Sequence, residues 1–316
     1  MTQVDFSHQP VMPDQCLRAL AVKPGGVYVD ATLGAGGHAV RILEALRVGG
    51  DGGRLVGIDK DPLALARSAS ILGVRADVLL LHGDFGEMDK LLSNAGIHSI
   101  DGALFDLGVS SPQLDDPARG FSYRHDAPLD MRMNPGDPVS AFDIVNHWPA
   151  SELKRILYTY GEEIHAPLIV ASIEKKRYDT PILTTGQLAE LIVSAMPPAA
   201  RRGKGHPAKR SFQAIRMAVN DELVAIEKGL TAAIRLLSRG GRLVVLSFHS
   251  VEDRIVKTVL RDAARGCDCP PYLPICICGK TPLVKPLYRK PLTPDSAEKE
   301  DNRRSHSAKL RACEKM

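Results

Sequence analysis

Four aspartates stand at or just past the ends of short apolar runs: Asp30 after VYV, Asp59 after RLVGI, Asp84 after VLLLHG and Asp106 after ALF. Between the first two lies a glycine turn, DATLGAGGHA (30–39), which leads into a helical pattern running to about Arg47. A carboxylate beside a buried strand is costly unless it meets a partner there. In an open α/β sheet the carboxyl ends of the strands are also where ligands sit. Glycines let the chain turn sharply and let a ligand approach the backbone closely. Gly34 to Ala39 fits the G-x-G-x-x-A form of the dinucleotide fingerprint, which by itself also describes a plain tight turn.

The acids narrow the ligand. Asp30, just ahead of the turn, would repel a pyrophosphate but suit an amino group and a sulfonium. Asp59 can accept hydrogen bonds from both ribose hydroxyls of an adenosine ligand, a device nicotinamide enzymes share. Its other reading, a helix cap, falls more naturally to Asp61, which precedes Pro62. Phe85 suits adenine stacking and Asp84 the exocyclic amine, with core packing as the alternative for the ring. A non-phosphorylated adenosine ligand favours S-adenosylmethionine over NAD. The fourth acid opens DLGVSS (106–111), in the strand-four position where methyltransferases place their reaction centre.

These residues need a scaffold that brings strand ends to one edge. Strand patterns at 26–30, 54–58, 78–81 and 100–105 alternate with helical patterns, which predicts a parallel, doubly wound sheet. From 112 to about 207 no strand pattern recurs, and the chain reads as loops and helices, a helical insertion. Residues 211–241 read as one long amphipathic helix, followed by a fifth strand at 242–248, a helix at 251–264 and a weak last strand near the end. The expected fold is α/β, a doubly wound sheet of residues 1–111 and 208–316 with an inserted helical domain, 112–207.

Composition is that of a globular chain, 44% hydrophobic and 25% charged over 316 residues. The first residues, MTQVDFSHQPVMPDQ, lack a basic start followed by an apolar stretch, and no run reaches the ~18 apolar residues of a membrane span. A cytoplasmic location without membrane attachment is expected. The net charge of +4 is mild, but RRGKGHPAKR (201–210) holds five basic residues and no acid. Arg201, Arg202, Lys204, Lys209 and Arg210 are candidate phosphate contacts, against the common reading of a solvated face. Four of the six cysteines cluster as CDCPPYLPICIC (267–278). A structural zinc at Cys267, Cys269, Cys276 and Cys278 is conceivable, but C-x-C is tighter than the usual C-x2-C knuckle and free thiols are the preferred reading.

Longer strings are more specific. HQPVM (8–12), DATLGAGGHA (30–39), GIDKDP (57–62), DGALFDLGVSSPQLDDPARGFSY (101–123), PLDMRM (128–133), YGEE (160–163), KRSFQAIRMAVNDEL (209–223) and SFHSVEDRIVK (247–257) resemble the bacterial 16S ribosomal RNA cytosine-N4 methyltransferases over nearly the whole chain. The resemblance implies that the sheet is a Rossmann-like class I methyltransferase sheet, that the insertion serves substrate recognition, and that Gly36, Gly37 and His38 line the cofactor at the first turn. It implies that Asp59 holds the ribose, that Phe85 lies against the adenine, and that Asp106 and Gln113 complete the pocket. It further implies S-adenosylmethionine as cofactor and N4 of one cytidine in the decoding region, near the P-site, as target. The substrate it implies is the assembled small subunit rather than naked 16S RNA or DNA.

The N4 lone pair of cytosine is delocalised into its ring, so an acceptor for the N4 proton would help the transfer. Asp106 is the first candidate, with the Ser110 hydroxyl and the carbonyls of Leu107 to Val109 as alternatives. The loop carries no aromatic to stack the base; Phe121, Tyr123 and Trp148 are the hypothetical donors. His249 in SFHS and His8 in HQPVM complete the candidates near the site. Two other classes stay open: a nicotinamide oxidoreductase, and a non-catalytic ribosome assembly factor that kept the fold.

Overall fold

The computed structural model describes residues 10–48, 50, 52–202, 205–270, 275, 277–302 and 304–316. The chain divides into two compact units, Met1–Gly108 with Leu223–Met316, and Val109–Glu222.

The first unit is built on a seven-stranded sheet. Its strands are β1 Val27–Asp30, β2 Arg54–Asp59, β3 Val78–His82, β4 Ile100–Asp106, β5 Leu237–Ser247, β6 Val284–Pro286 and β7 Lys309–Lys315. They lie in the order β3-β2-β1-β4-β5-β7-β6. The first five run parallel, while β7 is antiparallel to both β5 and β6. Strand order reverses at β1 and β4, the switch point where a crevice forms in an open α/β sheet.

Period-two alternation sends side chains to two cores. Val29, Val56, Ile58, Phe105 and Val245 share one cluster with Met88, Ile226 and Val256. Tyr28, Leu55, Leu104, Val244 and Leu246 share the other with Cys16, Ile42 and Leu72. Helices therefore cover both faces, as the runs of apolar residues in the parallel strands demand. Gly102 is required by packing: a Cβ there would lie 2.8 Å from the Tyr28 ring.

The second unit is helical. Helices Ala141–His147, Ala150–Thr159, Ala166–Asp179, Thr185–Ala195 and Lys209–Val219 surround their own core, which includes Ile144, Leu153, Ile169, Leu188 and Ile215. An isolated bridge, Pro128 to Thr184, is the strand-like pairing there.

The expected long helix over 211–241 is broken. One helix ends at Val219 and the next is Glu222–Leu236. Asn220 is buried and its side chain serves other backbone groups: Nδ2 donates to the carbonyls of Met131 and Arg216, both at 2.8 Å, and Oδ1 accepts from Met133 N–H at 2.7 Å. Asp221 then takes a left-handed conformation, φ 52°. An Asn whose side chain bonds to backbone groups competes with helix continuation. This break also shifts the division of the chain from the expected 207/208. Helix Lys209–Val219 packs Phe212, Ala214 and Ile215 into the helical core, so it belongs to the second unit. The first crossing lies at 108/109 rather than 111/112, because Val109 and Leu114 pack against that same core. Strand β5 starts at Leu237, earlier than expected, and is interrupted: Ile100 pairs with Leu237 but Gly102 with Arg242.

Candidate active site

The first turn is tied to the second strand through Asp59. Its Oδ2 accepts from Gly34 N–H at 2.7 Å and its Oδ1 from Asp61 N–H at 2.8 Å. Asp61 caps the helix Pro62–Leu72, its Oδ1 accepting from Leu63 N–H at 2.9 Å, as expected of Asp before Pro. Gly34 and Gly36 are left-handed, φ 50° and 80°, the conformation glycine tolerates best. Gly37 is held for a different reason: a Cβ there would meet the Pro10 ring at 3.2 Å. Ser68 closes the turn from outside, its Oγ donating to the Gly34 carbonyl at 2.9 Å.

Asp30 is fully buried, accepting from Thr32 N–H at 3.2 Å and from the Ala39 N–H at the start of the helix Gly37–Arg47. Burial pushes its carboxyl up to about 7, with the Asp59 charge adding to the rise. Its carboxylate is thus enclosed by the turn it holds rather than presented on an exposed face. Asp59 is likewise raised, to about 6, mainly by burial, against the two N–H donors.

Asp106 ends β4, and its N–H donates to Thr32 Oγ1 at 2.6 Å, which locks the strand end to the first turn. Its side chain keeps 27% exposure at the sheet edge. Burial, followed by the charges of Asp30 and Glu252, pushes the carboxyl up to about 8. His38 is buried on the helix Gly37–Arg47, with Nε2 3.6 Å from Asp106 Oδ2. Desolvation pulls its imidazole down to about 4, so it is neutral near pH 7. His38 Nε2 and Asp106 Oδ1 are buried and have no hydrogen-bond partner among the described residues. Unpartnered buried polar atoms at a sheet edge call for an account, and a bound polar ligand supplies one.

Behind Asp106 stands Glu252, wholly buried on the helix Ser250–Ala264, with Oε2 accepting from Phe248 N–H at 2.9 Å. His249 caps that helix, Nδ1 accepting from Glu252 N–H at 3.4 Å. Its Nε2 lies 2.8 Å from Glu252 Oε1, close but outside hydrogen-bond alignment. His249 is thus engaged with its own helix start. Phe85 is half buried, edge-on to Phe105 at 5.5 Å and packed over Gly229. Asp84 caps the short turn Phe85–Glu87 through Gly86 N–H at 2.8 Å and pairs with Lys60 at 3.3 Å.

Gly36, Gly37, His38, Asp59, Phe85 and Asp106 therefore stand at the carboxyl edge of one sheet, at the ends of β1 to β4. Ser110 and Gln113 belong to the helical unit, where Gln113 Oε1 accepts from Ser110 N–H at 2.9 Å in a capping box. Phe121 is buried in that unit's core, Trp148 packs beside it, and Tyr123 stacks on His206 at 4.4 Å. Of the basic stretch, Arg201 is committed to helix-end carbonyls, donating to Met196 and Ser194 at 2.8 Å each. Arg210 donates to the Glu162 carbonyl at 3.1 Å, while Arg202 and Lys209 are exposed. His8, Lys204 and Cys276 lie outside the described residues. Residue patterns did not single out Thr32, Ser68 and Glu252. Their roles rest on partners far along the chain, although Thr32 sits within the glycine string itself.

Residues 5–316 match the model of the MraW methylase family. A protein of Carboxydothermus hydrogenoformans called ribosomal RNA small subunit methyltransferase H is 49% identical over 314 residues, covering 99% of each chain. Proteins of the same name from Brevibacillus brevis and Geotalea uraniireducens are 48% and 50% identical, over 317 and 313 residues, again nearly end to end. With a match of that length behind the carboxylate edge and glycine turn, the chain belongs to the MraW methylase family and is a methyltransferase.

Proposed function

We propose that this methyltransferase uses S-adenosylmethionine to methylate N4 of one cytidine in the decoding region of 16S ribosomal RNA, near the P-site, with the assembled small subunit as substrate. The names of the relatives support ribosomal RNA of the small subunit. The cofactor is supported by the edge itself: two left-handed glycines, a ribose-ready carboxylate at Asp59, and unpartnered polar atoms on His38 and Asp106. The observation that carries the reading is Asp106, a raised carboxyl at the end of β4 with Oδ1 unsatisfied among the described residues.

When bound, the cofactor supplies an electrophilic methyl group on a positively charged sulfur. The chain's residues then orient, exclude water and move one proton. Asp59 accepts from the ribose hydroxyls with the lone pairs left over from Gly34 and Asp61. The carboxyl groups of Asp30 and Asp106 give the edge its preference for a cation, and a cation beside them lowers their pKa values by direct attraction. Asp106, so ionised, accepts a hydrogen bond from the N4 amine, localises its lone pair and receives the proton released when the new C–N bond forms. Ser110 and Gln113 are assigned to the target base and cofactor through the start of their short helix. Arg202, Lys204, Lys209 and Arg210 are assigned to phosphates of the RNA. The cytoplasm follows as the site of action.

The test is a transfer assay with methyl-labelled cofactor, using small subunits from a strain without this enzyme and the same RNA stripped of protein. Label recovered as N4-methylcytidine on subunits, and far less on bare RNA, is the expected result. Label in a different nucleoside, or none in either substrate with cofactor still bound, would overturn it.

A further inference from the structure

The loop between the helix Ser250–Ala264 and β6 lies far in sequence from the glycine turn, and none of its residues is among those assigned to the methyl transfer. Sequence spacing alone made thiols the preferred reading of its cysteines. The geometry of the described ones points elsewhere. The Sγ atoms of Cys267, Cys269 and Cys278 all lie within 4.8 Å of one another. Cys278 Sγ is 3.7 Å from Cys267 Sγ, far longer than the ~2.05 Å of a disulfide. Two thiolates on one tetrahedral zinc, each at about 2.3 Å, stand about 3.8 Å apart. The two sulfurs, in S–H···S contact here, are spaced as a shared metal would need them.

The tight C-x-C spacing turns out to be compatible with convergence. Cys269 N–H donates to Cys267 Sγ at 3.3 Å, closing a small turn, and the two sulfurs lie within 4.8 Å of each other. Ile277 N–H donates to Cys269 Sγ at 3.4 Å, bringing the second C-x-C against the first. Metal uptake takes the thiolate form of each sulfur, so binding releases protons. Asp268, between the first two cysteines, pairs with Lys280 at 2.7 Å and Arg265 at 3.5 Å. Those cations suit a dication with three thiolates, which carries a net negative charge.

The loop also needs a staple. Its neck is closed by Leu283 N–H donating to the Ala263 carbonyl at 2.8 Å. Beyond the neck, the described Ile275 and Ile277 are 74% and 79% exposed, so these two side chains add little apolar burial there. We propose that Cys267, Cys269 and Cys278 bind a structural zinc ion that fixes this loop. Binding displaces the thiol protons, forms three Zn–S bonds and involves no change of oxidation state.

Zinc would be measured by mass spectrometry of the full chain purified without chelators, alongside Cys267→Ser, Cys278→Ser and Asp268→Asn. Circular dichroism would report folding. The expected result is one zinc per chain in the parent and in Asp268→Asn, and at least tenfold less in each cysteine variant. Should those variants fail to fold, the parent stripped and reloaded with cobalt carries the test, through a thiolate-to-cobalt charge-transfer band. A parent chain that neither contains zinc nor takes it up in competition with a weak chelator overturns the proposal. So does iron in its place, or zinc retained when Cys267 and Cys278 are both replaced.

Discussion

His38 Nε2 and Asp106 Oδ2 face each other at 3.6 Å, and both are shifted toward their neutral forms. Where both partners are desolvated, ionising the pair costs more than their attraction returns. Without a ligand the proton therefore stays on Asp106 near pH 7, and a cationic ligand would release it.

Asp106→Asn keeps the shape and removes the acid. Methyl transfer should fall by roughly 10²–10⁴-fold, the usual contribution of a positioned proton acceptor. Cofactor binding should persist, weakened by the loss of one charge. A variant that turns over near the parent rate, measured with labelled cofactor on small subunits, would remove Asp106 from the chemistry.

The same carboxyl groups set how stability responds to pH. Asp30, Asp59 and Asp106, raised to about 7, 6 and 8, hold protons in the native state that the unfolded chain gives up near pH 4. Their ionisation thus lowers stability as pH rises through those values. His38, lowered to about 4, works the other way between pH 4 and its ordinary 6.5, where only the unfolded chain takes the proton. Between pH 6.5 and 8 the acids act alone, so the ligand-free melting temperature should decline there. In Asp106→Asn the decline should be shallower, which thermal melts across that range would show.

Ligand affinity carries the mirror image of this effect. Affinity for S-adenosylmethionine, with its sulfonium, should increase from pH 6 to 8 as Asp30 and Asp106 ionise. S-adenosylhomocysteine, with a neutral sulfur, should gain less. Calorimetric titration of both ligands at three pH values checks the ratio; a constant ratio would mean that the acids do not sense the sulfonium.

Two adjacent glycines should fail differently. Gly36→Ala forces a side chain onto φ 80°, a cost of about 1 kcal/mol, and sets its Cβ 3.1 Å from Ser68 Oγ. Gly37→Ala keeps ordinary backbone but presses on Pro10 at 3.2 Å. Cofactor affinity should drop in the first, whereas the second should loosen the segment that begins at Pro10. Binding titrations and limited proteolysis separate the two.

The basic stretch divides by what each side chain already does. Replacing Arg202 and Lys209 with alanine should weaken subunit binding and reduce its salt slope by roughly 0.7–0.9 per lost phosphate contact. Arg201→Ala should instead lower the melting temperature, because two helix-end carbonyls lose their donor. A salt titration of binding for each variant is the check.

Local patterns revealed the acid-ended strands, the glycine turn and the Asp61 cap, because each follows from neighbouring residues. They did not reveal the break at Asn220, whose amide is drawn to Met131 and Met133 across the helical unit. Nor did they show that Asp30 is sealed inside the turn it precedes, or that Thr32 receives the Asp106 N–H. The short β6 is equally silent: three residues are too few to display a period, and the strand exists through its pairing with β7. What sequence misses here is long-range partnership rather than local preference.

Strand β4, at the middle of the sheet, pairs with β5, and the entire helical unit lies between them in the chain. The ends of β1 to β4 can be made in one stretch of synthesis, but the β5 side of the crevice must wait for an independent core to condense. Closing so long a loop before that core forms is entropically slow, and a folded insert shortens the effective loop. Core substitutions such as Ile169→Ala, buried in the helical unit, should thus delay the pairing of β5 with β4. The order of folding, not only the final contacts, makes the two units depend on each other.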